Sequence, residues 1–164
     1  MRYRLCDNYL RFYLRCVAPV RDVVEKGLFK WTSLESLPGW DTLMGLQFEN
    51  LVLGNLTAVF EKTGLTNVPI LNAGAYYRRP TKSRKGCQVD LLIRTGQSLY
   101  FFKVKFRRQI DKTVISEMKQ KIERLNAPRS LSVRTGLIYQ GDLHPEIRPS
   151  DYFDFLVSFE DLLV

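Results

Sequence analysis

The sequence predicts an α/β fold in which helices flank a mixed central β-sheet and a helical segment precedes the sheet. Apolar residues recur at helical spacing through the first 64 residues and then at a spacing of two in five short stretches. A helical stretch separates the third predicted strand from the fourth, and a helical crossover of this kind joins parallel strands. Because the second and third strands are predicted to form a hairpin, the expected sheet is mixed.

The first 38 residues are predicted to form a helical connecting segment. In DNYLRFYLRCV, either Asp7 or Asn8 can cap a helix, which Pro19 would end. The stretch VRDVVEKGLF predicts a second short helix that is closed by Gly27.

Residues 39–164 are predicted to form the main domain. Its longest periodic stretch, WDTLMGLQFENLVLGNLTAVFEKTG, predicts one helix capped by Asp41 or Thr42 and ended by Gly64. The predicted strands are GAYYRR, QVDLLIR, SLYFFKVKF, SVRTGLIYQ and FDFLV. The crossover helix is predicted in DKTVISEMKQKIERLN and a last helical turn in SFEDLL.

Composition narrows the class of protein. A net charge of +8 and a pI of about 9.5 favour a polyanionic partner, although a basic surface kept for solubility explains them too. No apolar run could span a bilayer, and the charged N-terminus does not resemble a signal peptide. Three cysteines without a C-x-x-C pair predict a cytoplasmic protein without a zinc site. The only histidine is His144, in a loop-like stretch, and no P-loop motif occurs.

A lone carboxylate and two lysines are predicted to share one face of the sheet. Gly96 and Gln97 suit a two-residue type II′ turn, which would place Asp90 opposite Lys103 and diagonal to Lys105. These groups could form a structural ion pair, but buried pairs add little stability. Two ammonium groups beside one carboxylate leave one positive charge in excess. A bound phosphate group would compensate this charge.

The order of these motifs resembles the PD-(D/E)xK nuclease superfamily. A helix with GLQFE, a strand with VDLL, a strand with x-x-K and a helix follow one another as in the restriction-endonuclease-like fold. The whole chain resembles the C-terminal domain of archaeal and bacterial P-loop (AAA-type) ATPases, with YRLCDNYLRFYLRCVAP similar to their connecting segment. The resemblance implies that an ATPase region in the same full-length protein is a partner of this domain. It does not decide whether the protein forms a homo-oligomer.

The resemblance also implies a set of site residues. Active members bind magnesium through an aspartate and a following acidic residue, and a lysine two residues later orients or activates water. Asp90 matches the aspartate, Lys105 the lysine, and Glu49 the helix glutamate, so Asp90 and Glu49 would hold Mg²⁺ if the site is active. Lys103 stands where the second acidic ligand is expected, which is a reversal of charge. Glu117 is either a solvated helix residue or a relocated carboxylate.

A basic stretch, AYYRRPTKSRKGCQ at residues 75–88, is predicted to contact nucleic acid. The alternative is a solvated turn whose charges protect an edge strand. The candidate nucleic-acid-binding residues are Tyr76, Tyr77, Arg78, Arg79, Lys82, Arg84 and Lys85, with Arg107 and Arg108 beyond the third strand.

Three functions remain open from the sequence. The first is a catalytically degenerate nuclease-fold domain that binds nucleic acid, with DNA as the first choice. The second is an active Mg²⁺-dependent DNA endonuclease that uses Glu49, Asp90 and Lys105. The third is a protein-interaction module that regulates the ATPase. Binding with a steep salt dependence separates the first two from the third.

Overall fold

A computed structural model describes residues 5–30 and 33–163 of the 164-residue chain. A π-helical turn at Tyr13–Val17 and 3₁₀ turns at Ala18–Val20, Leu34–Ser36 and Glu160–Leu162 supplement the main elements. In chain order the helices and strands are α1 (Asn8–Phe12), α2 (Arg21–Glu25), α3 (Trp40–Gly54), α4 (Leu56–Lys62), β1 (Ile70–Arg78), β2 (Cys87–Thr95), β3 (Ser98–Ile110), α5 (Thr113–Leu125), β4 (Ser132–Leu143) and β5 (Phe155–Ser158).

The five strands form one mixed sheet in the order β1-β2-β3-β4-β5. The pairs β1–β2 and β2–β3 are antiparallel, whereas α5 crosses over so that β3, β4 and β5 run parallel. This arrangement confirms the predicted α/β class, with its mixed central sheet, flanking helices and N-terminal helical segment. Among residues 5–30 and 33–163, none of the helices has the length and hydrophobicity of a transmembrane span.

Each face of the sheet has its own apolar core. On one face, α3 and α4 contribute Phe48, Val52 and Val59, which pack with Leu91 and Phe102 of the sheet. The core on the other face is built around α5, and its members include Cys87, Val89, Phe101, Val114, Met118 and Leu137. A residue in the sheet therefore faces either the α3 side or the α5 side.

The N-terminal segment is helical as predicted, and it packs on α3. The Asp7 side chain caps α1 by accepting the Leu10 N–H at 2.8 Å. Asn8 and Gln47 of α3 each donate a side-chain hydrogen bond to the other's backbone carbonyl, at 3.3 and 3.2 Å. Residues 1–4, 31 and 32 of the predicted connecting segment lie outside the described residues, and its boundary at residue 38 stays a prediction.

The prediction of one long helix from residue 41 to residue 64 is wrong. The chain leaves the helical conformation at Asn55 (φ −126°, ψ 45°), which separates α3 from α4. The Asn55 side chain donates to the Leu51 carbonyl at 2.7 Å, so a local hydrogen bond competes with helix continuation. Neither Asp41 nor Thr42 caps the helix, because α3 already begins at Trp40, after Gly39, whose φ of 75° suits glycine.

The β2–β3 hairpin has the predicted two-residue loop and the predicted register, with Arg94 paired to Leu99. The type II′ assignment is wrong, because that turn needs a positive φ at Gly96 and the backbone there does not have one. The Ser98 N–H donates instead to the Thr95 hydroxyl oxygen at 3.0 Å. A side-chain hydrogen bond closes the turn, and the loop length alone preserves the parity of the hairpin.

Strand β2 carries one extra residue at Asp90. Between the pairs Gly74–Leu92 and Tyr76–Val89, β1 advances by two residues and β2 by three, which is a β-bulge. Leu92 and Val89 both pack on the α5 side although three positions separate them in the strand. The bulge therefore shifts the alternation of side chains along β2 next to Asp90.

Acid is expected to weaken the junction between β4 and β5 through Asp154. Its carboxylate accepts the Thr135 N–H at 2.7 Å and a guanidinium N–H of Arg134 at 2.8 Å. Partial burial raises the pKa of Asp154, but these hydrogen bonds outweigh burial and leave it below the ordinary value. Because the pKa of Asp154 is lower in the folded state, its ionised carboxylate stabilises the fold. This stabilisation is fully present above the unfolded pKa of about 3.9 and is lost as pH falls through the folded pKa.

We therefore expect Asp154→Asn to remove about 1 kcal/mol of unfolding free energy at pH 6 and much less at pH 2.5. Urea unfolding of both proteins at the two pH values measures this. Asp142→Asn, at an exposed position of β4, is the control and should change little at either pH. An Asp154→Asn deficit of the same size at both pH values would contradict the assignment.

Candidate nucleic-acid site

Asp90 is the buried centre of a charged cluster. Its side chain is only 3% exposed, and Lys103 Nζ lies 3.2 Å from Oδ2. The same oxygen accepts the Val104 N–H at 3.1 Å, and Lys121 Nζ of α5 lies 3.6 Å from Oδ1. Both carboxylate oxygens therefore face protein donors.

Strand alternation and the position of α5 bring the cluster together. Lys103 and Lys105 share the face of β3 that carries Phe101, which belongs to the core on the α5 side. Glu117 and Lys121 are one helical turn apart on α5 and point toward that face. We call Asp90, Lys103, Lys105, Glu117 and Lys121 the Asp90 cluster.

Lys105 has a different partner from the one that hairpin geometry suggests. Its Nζ lies 3.0 Å from Glu117 Oε2, with the lysine side chain 18% exposed and the glutamate 43% exposed. Glu117 is thus an ion-pair partner as well as a partly solvated residue. The water-orienting role that the resemblance implies for Lys105 stays a prediction.

The cluster holds three ammonium groups and two carboxylates. Burial lowers the pKa of Lys103, but attraction to Asp90 and Glu117 and the hydrogen bonds of the cluster together outweigh burial and raise the pKa above its ordinary value. Burial also lowers the pKa of Lys121, and repulsion from Lys103 adds to this, so the pKa stays below its ordinary value despite Asp90. Asp90 and Lys103 therefore form the ion pair, while Lys121 is the cation in excess.

Lys121 is not among the site residues predicted from the sequence. In the sequence it is one of several charged residues on the outer face of an amphipathic helix. The available signal was spacing, because Glu117, Lys121 and Arg124 recur at positions i, i+4 and i+7 and so share one side of α5.

The structure brings Glu49 and Asp90 to one cavity. A cavity of about 360 Å³ is lined by both residues, by Tyr76 and Tyr77 of β1, and by Arg11 of α1. Arg11 is likewise not among the predicted site residues. Its Nη1 atom is buried and has no hydrogen-bond partner among the described residues. The identified contacts of the Asp90 carboxylate are to β3 and α5, whereas Glu49 approaches from α3.

These residues do not fit a magnesium ion. Mg²⁺ needs hard oxygen ligands in near-octahedral geometry, and Lys103 places an ammonium group directly on the Asp90 carboxylate. Within residues 5–30 and 33–163, no group of three or more His, Cys, Asp or Glu side chains comes together. The roles of Asp90 and Glu49 as metal ligands stay a prediction.

The residues of the basic stretch occupy different environments. Arg78 is half-buried, and its guanidinium donates to the carbonyls of Leu125 at 3.2 Å, of Lys85 at 3.3 Å and of Arg124. Tyr77 is 46% exposed on β1, whereas Tyr76 packs against the core on the α5 side. The remaining cations of this stretch are exposed in the loop between β1 and β2: Arg79, Lys82, Arg84 and Lys85.

Arg107 and Arg108 are exposed near the end of β3. Because β2 is antiparallel to β3, the β1–β2 loop and the end of β3 lie at the same end of the sheet. The predicted basic residues therefore surround the end of the sheet that carries the Asp90 cluster. Their contact with nucleic acid stays a prediction.

Comparison with solved structures gives a likeness of fold. The chain is similar to protein VC1899 from Vibrio cholerae, with a TM-score of 0.50 and 15% identity over 88% of this chain and 39% of that one. It is also similar to a repair endonuclease from Pyrococcus abyssi, with a TM-score of 0.42 and 17% identity over 67% of this chain and 44% of that one. The chain thus spans less than half the length of either protein. No protein-family model matches the chain, and no curated protein sequence matches it significantly.

Proposed function

We propose that this chain is a nuclease-fold domain that binds nucleic acid, with DNA as the first choice, and has lost metal-dependent cleavage. One observation carries the proposal: Lys103 Nζ lies 3.2 Å from Asp90 Oδ2, where a metal site would need a second carboxylate. The ammonium group compensates the buried charge of Asp90 without a metal ion. The order of motifs, which resembles the PD-(D/E)xK superfamily, supports the nuclease fold.

Charge supports phosphate as the ligand. The Asp90 cluster has one cation in excess, and the exposed arginines Arg107 and Arg108 follow Lys105 on the same strand. Ammonium and guanidinium groups bind phosphate oxygens through charge-assisted hydrogen bonds. Nucleic acid presents phosphates at regular intervals, so several of these cations can be neutralised by one ligand.

An active Mg²⁺-dependent endonuclease is the second candidate. It is favoured by a specific observation, namely that Glu49 and Asp90 line the same cavity. Cleavage would require Lys103 to leave Asp90 and a metal ion to take its place. DNA cleavage in Mn²⁺ that disappears in Asp90→Ala would establish this candidate.

We further propose that the domain works in the cytoplasm, joined to a P-loop ATPase region. The resemblance of the connecting segment supports the link, as do large apolar side chains exposed on that segment, including Tyr9 at 75%, Leu14 at 55% and Leu28 at 66%. The buried thiols of Cys16 and Cys87, which form no disulfide among the described residues, are compatible with a reducing compartment. A full-length protein in which these side chains stay exposed would argue against the ATPase link.

Binding should be independent of divalent metal and strongly dependent on salt. We expect fluorescence anisotropy in EDTA to show a linear fall of log K with log salt concentration, since each neutralised phosphate contributes about −0.9 to the slope on duplex DNA. Replacing Arg107 and Arg108 together by alanine should reduce the slope by about 2. Lys62→Ala, in the last turn of α4, is the control.

The outcome separates the candidate functions. An unchanged slope in Lys62→Ala and a reduced slope in the double variant support phosphate contacts at the end of β3. Absence of binding at low salt, or binding that salt does not affect, would leave the protein-interaction module as the better account.

A further inference from the structure

A basic groove lies between the β1–β2 loop and the C-terminal half of α5. It encloses about 580 Å³, and four of its lining residues are cations: Arg78, Arg84, Lys85 and Arg124. Glu123 is the only carboxylate in its lining. We call this feature the loop–helix groove.

The positive charge of the groove is not neutralised within the described part of the chain. Every salt bridge found there involves other residues, so Arg84, Lys85 and Arg124 have no carboxylate partner at ion-pair distance. Side chains of these three residues are exposed and can reach a ligand. A concave site with unpaired cations concentrates positive potential and attracts an anion.

Hydrogen bonds fix the two walls of the groove. Arg78 joins the walls, because its guanidinium donates both to the Lys85 carbonyl in the loop and to the Leu125 carbonyl at the end of α5. Within the loop, the Thr81 N–H donates to the Arg84 carbonyl at 2.8 Å and the Arg84 N–H donates to the Thr81 hydroxyl at 3.1 Å. A groove formed in advance loses less entropy when a ligand binds.

The groove continues to the Asp90 cluster. A smaller cavity of about 220 Å³ is lined by Tyr77, Arg78, Lys121 and Arg124, so it shares residues with both features. From Glu117 to Arg124, α5 rises about 10 Å at 1.5 Å per residue. Lys121 and Arg124 lie along this length of α5 and form a track of cations from the Asp90 cluster to the groove.

From this track we infer that the loop–helix groove binds one strand of nucleic acid, with Arg124 and Arg84 contacting phosphates. The inference rests on the proposed function and narrows its ligand to single-stranded nucleic acid. The amides of Gln120 and Asn126 also line the groove and can bond to base edges that a duplex would keep paired.

Anisotropy with a labelled single-stranded oligonucleotide and the same sequence as a duplex, both in EDTA, tests the inference. We expect Arg124→Glu to weaken single-strand binding about tenfold and to reduce the salt slope by about 1. The Arg124 carbonyl that holds Arg78 remains in this variant. Lys119→Glu is the matched control on the same helix, because Lys119 lies 5.3 Å from the Tyr152 ring and does not line the groove.

Arg84→Glu, on the exposed loop, is a second variant that keeps the test valid if Arg124→Glu fails to fold. A loss specific to the groove variants, larger for the single strand than for the duplex, supports the inference. Equal losses in Lys119→Glu and the groove variants, or tighter binding of the duplex, would overturn it while leaving the proposed function standing. If the wild type binds neither oligonucleotide, the proposed function itself fails.

Discussion

Asp90→Ala is expected to lower the free energy of unfolding by about 3–5 kcal/mol, because it leaves a buried cation without its counter-charge. The carboxylate is 3% exposed and lies beside Lys103, which is 14% exposed, and Lys121, which is 22% exposed. Its loss also removes the acceptor of the buried Val104 N–H. Urea unfolding monitored by circular dichroism measures the change.

Two further variants are needed to interpret the Asp90→Ala result. The double variant Asp90→Ala, Lys103→Met should recover part of the lost stability, because it removes the unpaired ammonium together with the carboxylate. Asp142→Ala, at an exposed site on β4, should change stability by less than about 0.5 kcal/mol.

The sign of the Asp90→Ala effect separates the two accounts of the site. In a metal site without its ion, neighbouring carboxylates repel each other, and removing one of them stabilises the protein. In the Asp90 cluster, the carboxylate lies within ion-pair distance of two ammonium groups and attracts both. An Asp90→Ala variant that is as stable as the wild type, or more stable, would contradict the ion-pair account.

Lys103→Glu is expected to create a metal site where the wild type has an ion pair. The substitution places a second carboxylate beside Asp90, on the face of β3 that also carries Lys105. We expect the variant to bind Mn²⁺ at least about tenfold more tightly than the wild type, a difference of about 1.4 kcal/mol. Isothermal titration calorimetry measures the affinity, and a rise in melting temperature on adding Mn²⁺ gives a second readout.

Lys103→Gln is the matched control for this experiment. It removes the ammonium group without adding a carboxylate, so its gain in Mn²⁺ affinity should be smaller than that of Lys103→Glu. A wild type that already binds Mn²⁺ as tightly as Lys103→Glu would show that Lys103 does not exclude the metal.

The order of elements and the central ion pair were predictable because both depend on short-range pattern. Period-two stretches mark the strands, and a two-residue loop determines which residues of the hairpin face each other. That parity places Asp90 near Lys103, although the backbone of the turn at Gly96 differs from the prediction.

The remaining features depend on backbone conformation and contacts that the sequence pattern does not show. Apolar spacing continues across Asn55, so only the local backbone and the side-chain bond to Leu51 reveal the break between α3 and α4. The bulge at Asp90 is a relation between two strands, and neither strand shows it alone. The role of Lys121 follows from how α5 crosses the sheet, which sequence spacing does not give.

A crystal structure of the protein soaked in Mn²⁺ tests most directly whether Lys103 occupies the position of the metal. We predict no Mn²⁺ between Glu49 and Asp90, and Lys103 Nζ still within hydrogen-bonding distance of Asp90 Oδ2, as at 3.2 Å here. A Mn²⁺ ion coordinated by Asp90, with the Lys103 ammonium displaced from the carboxylate, would contradict this account and favour an active nuclease.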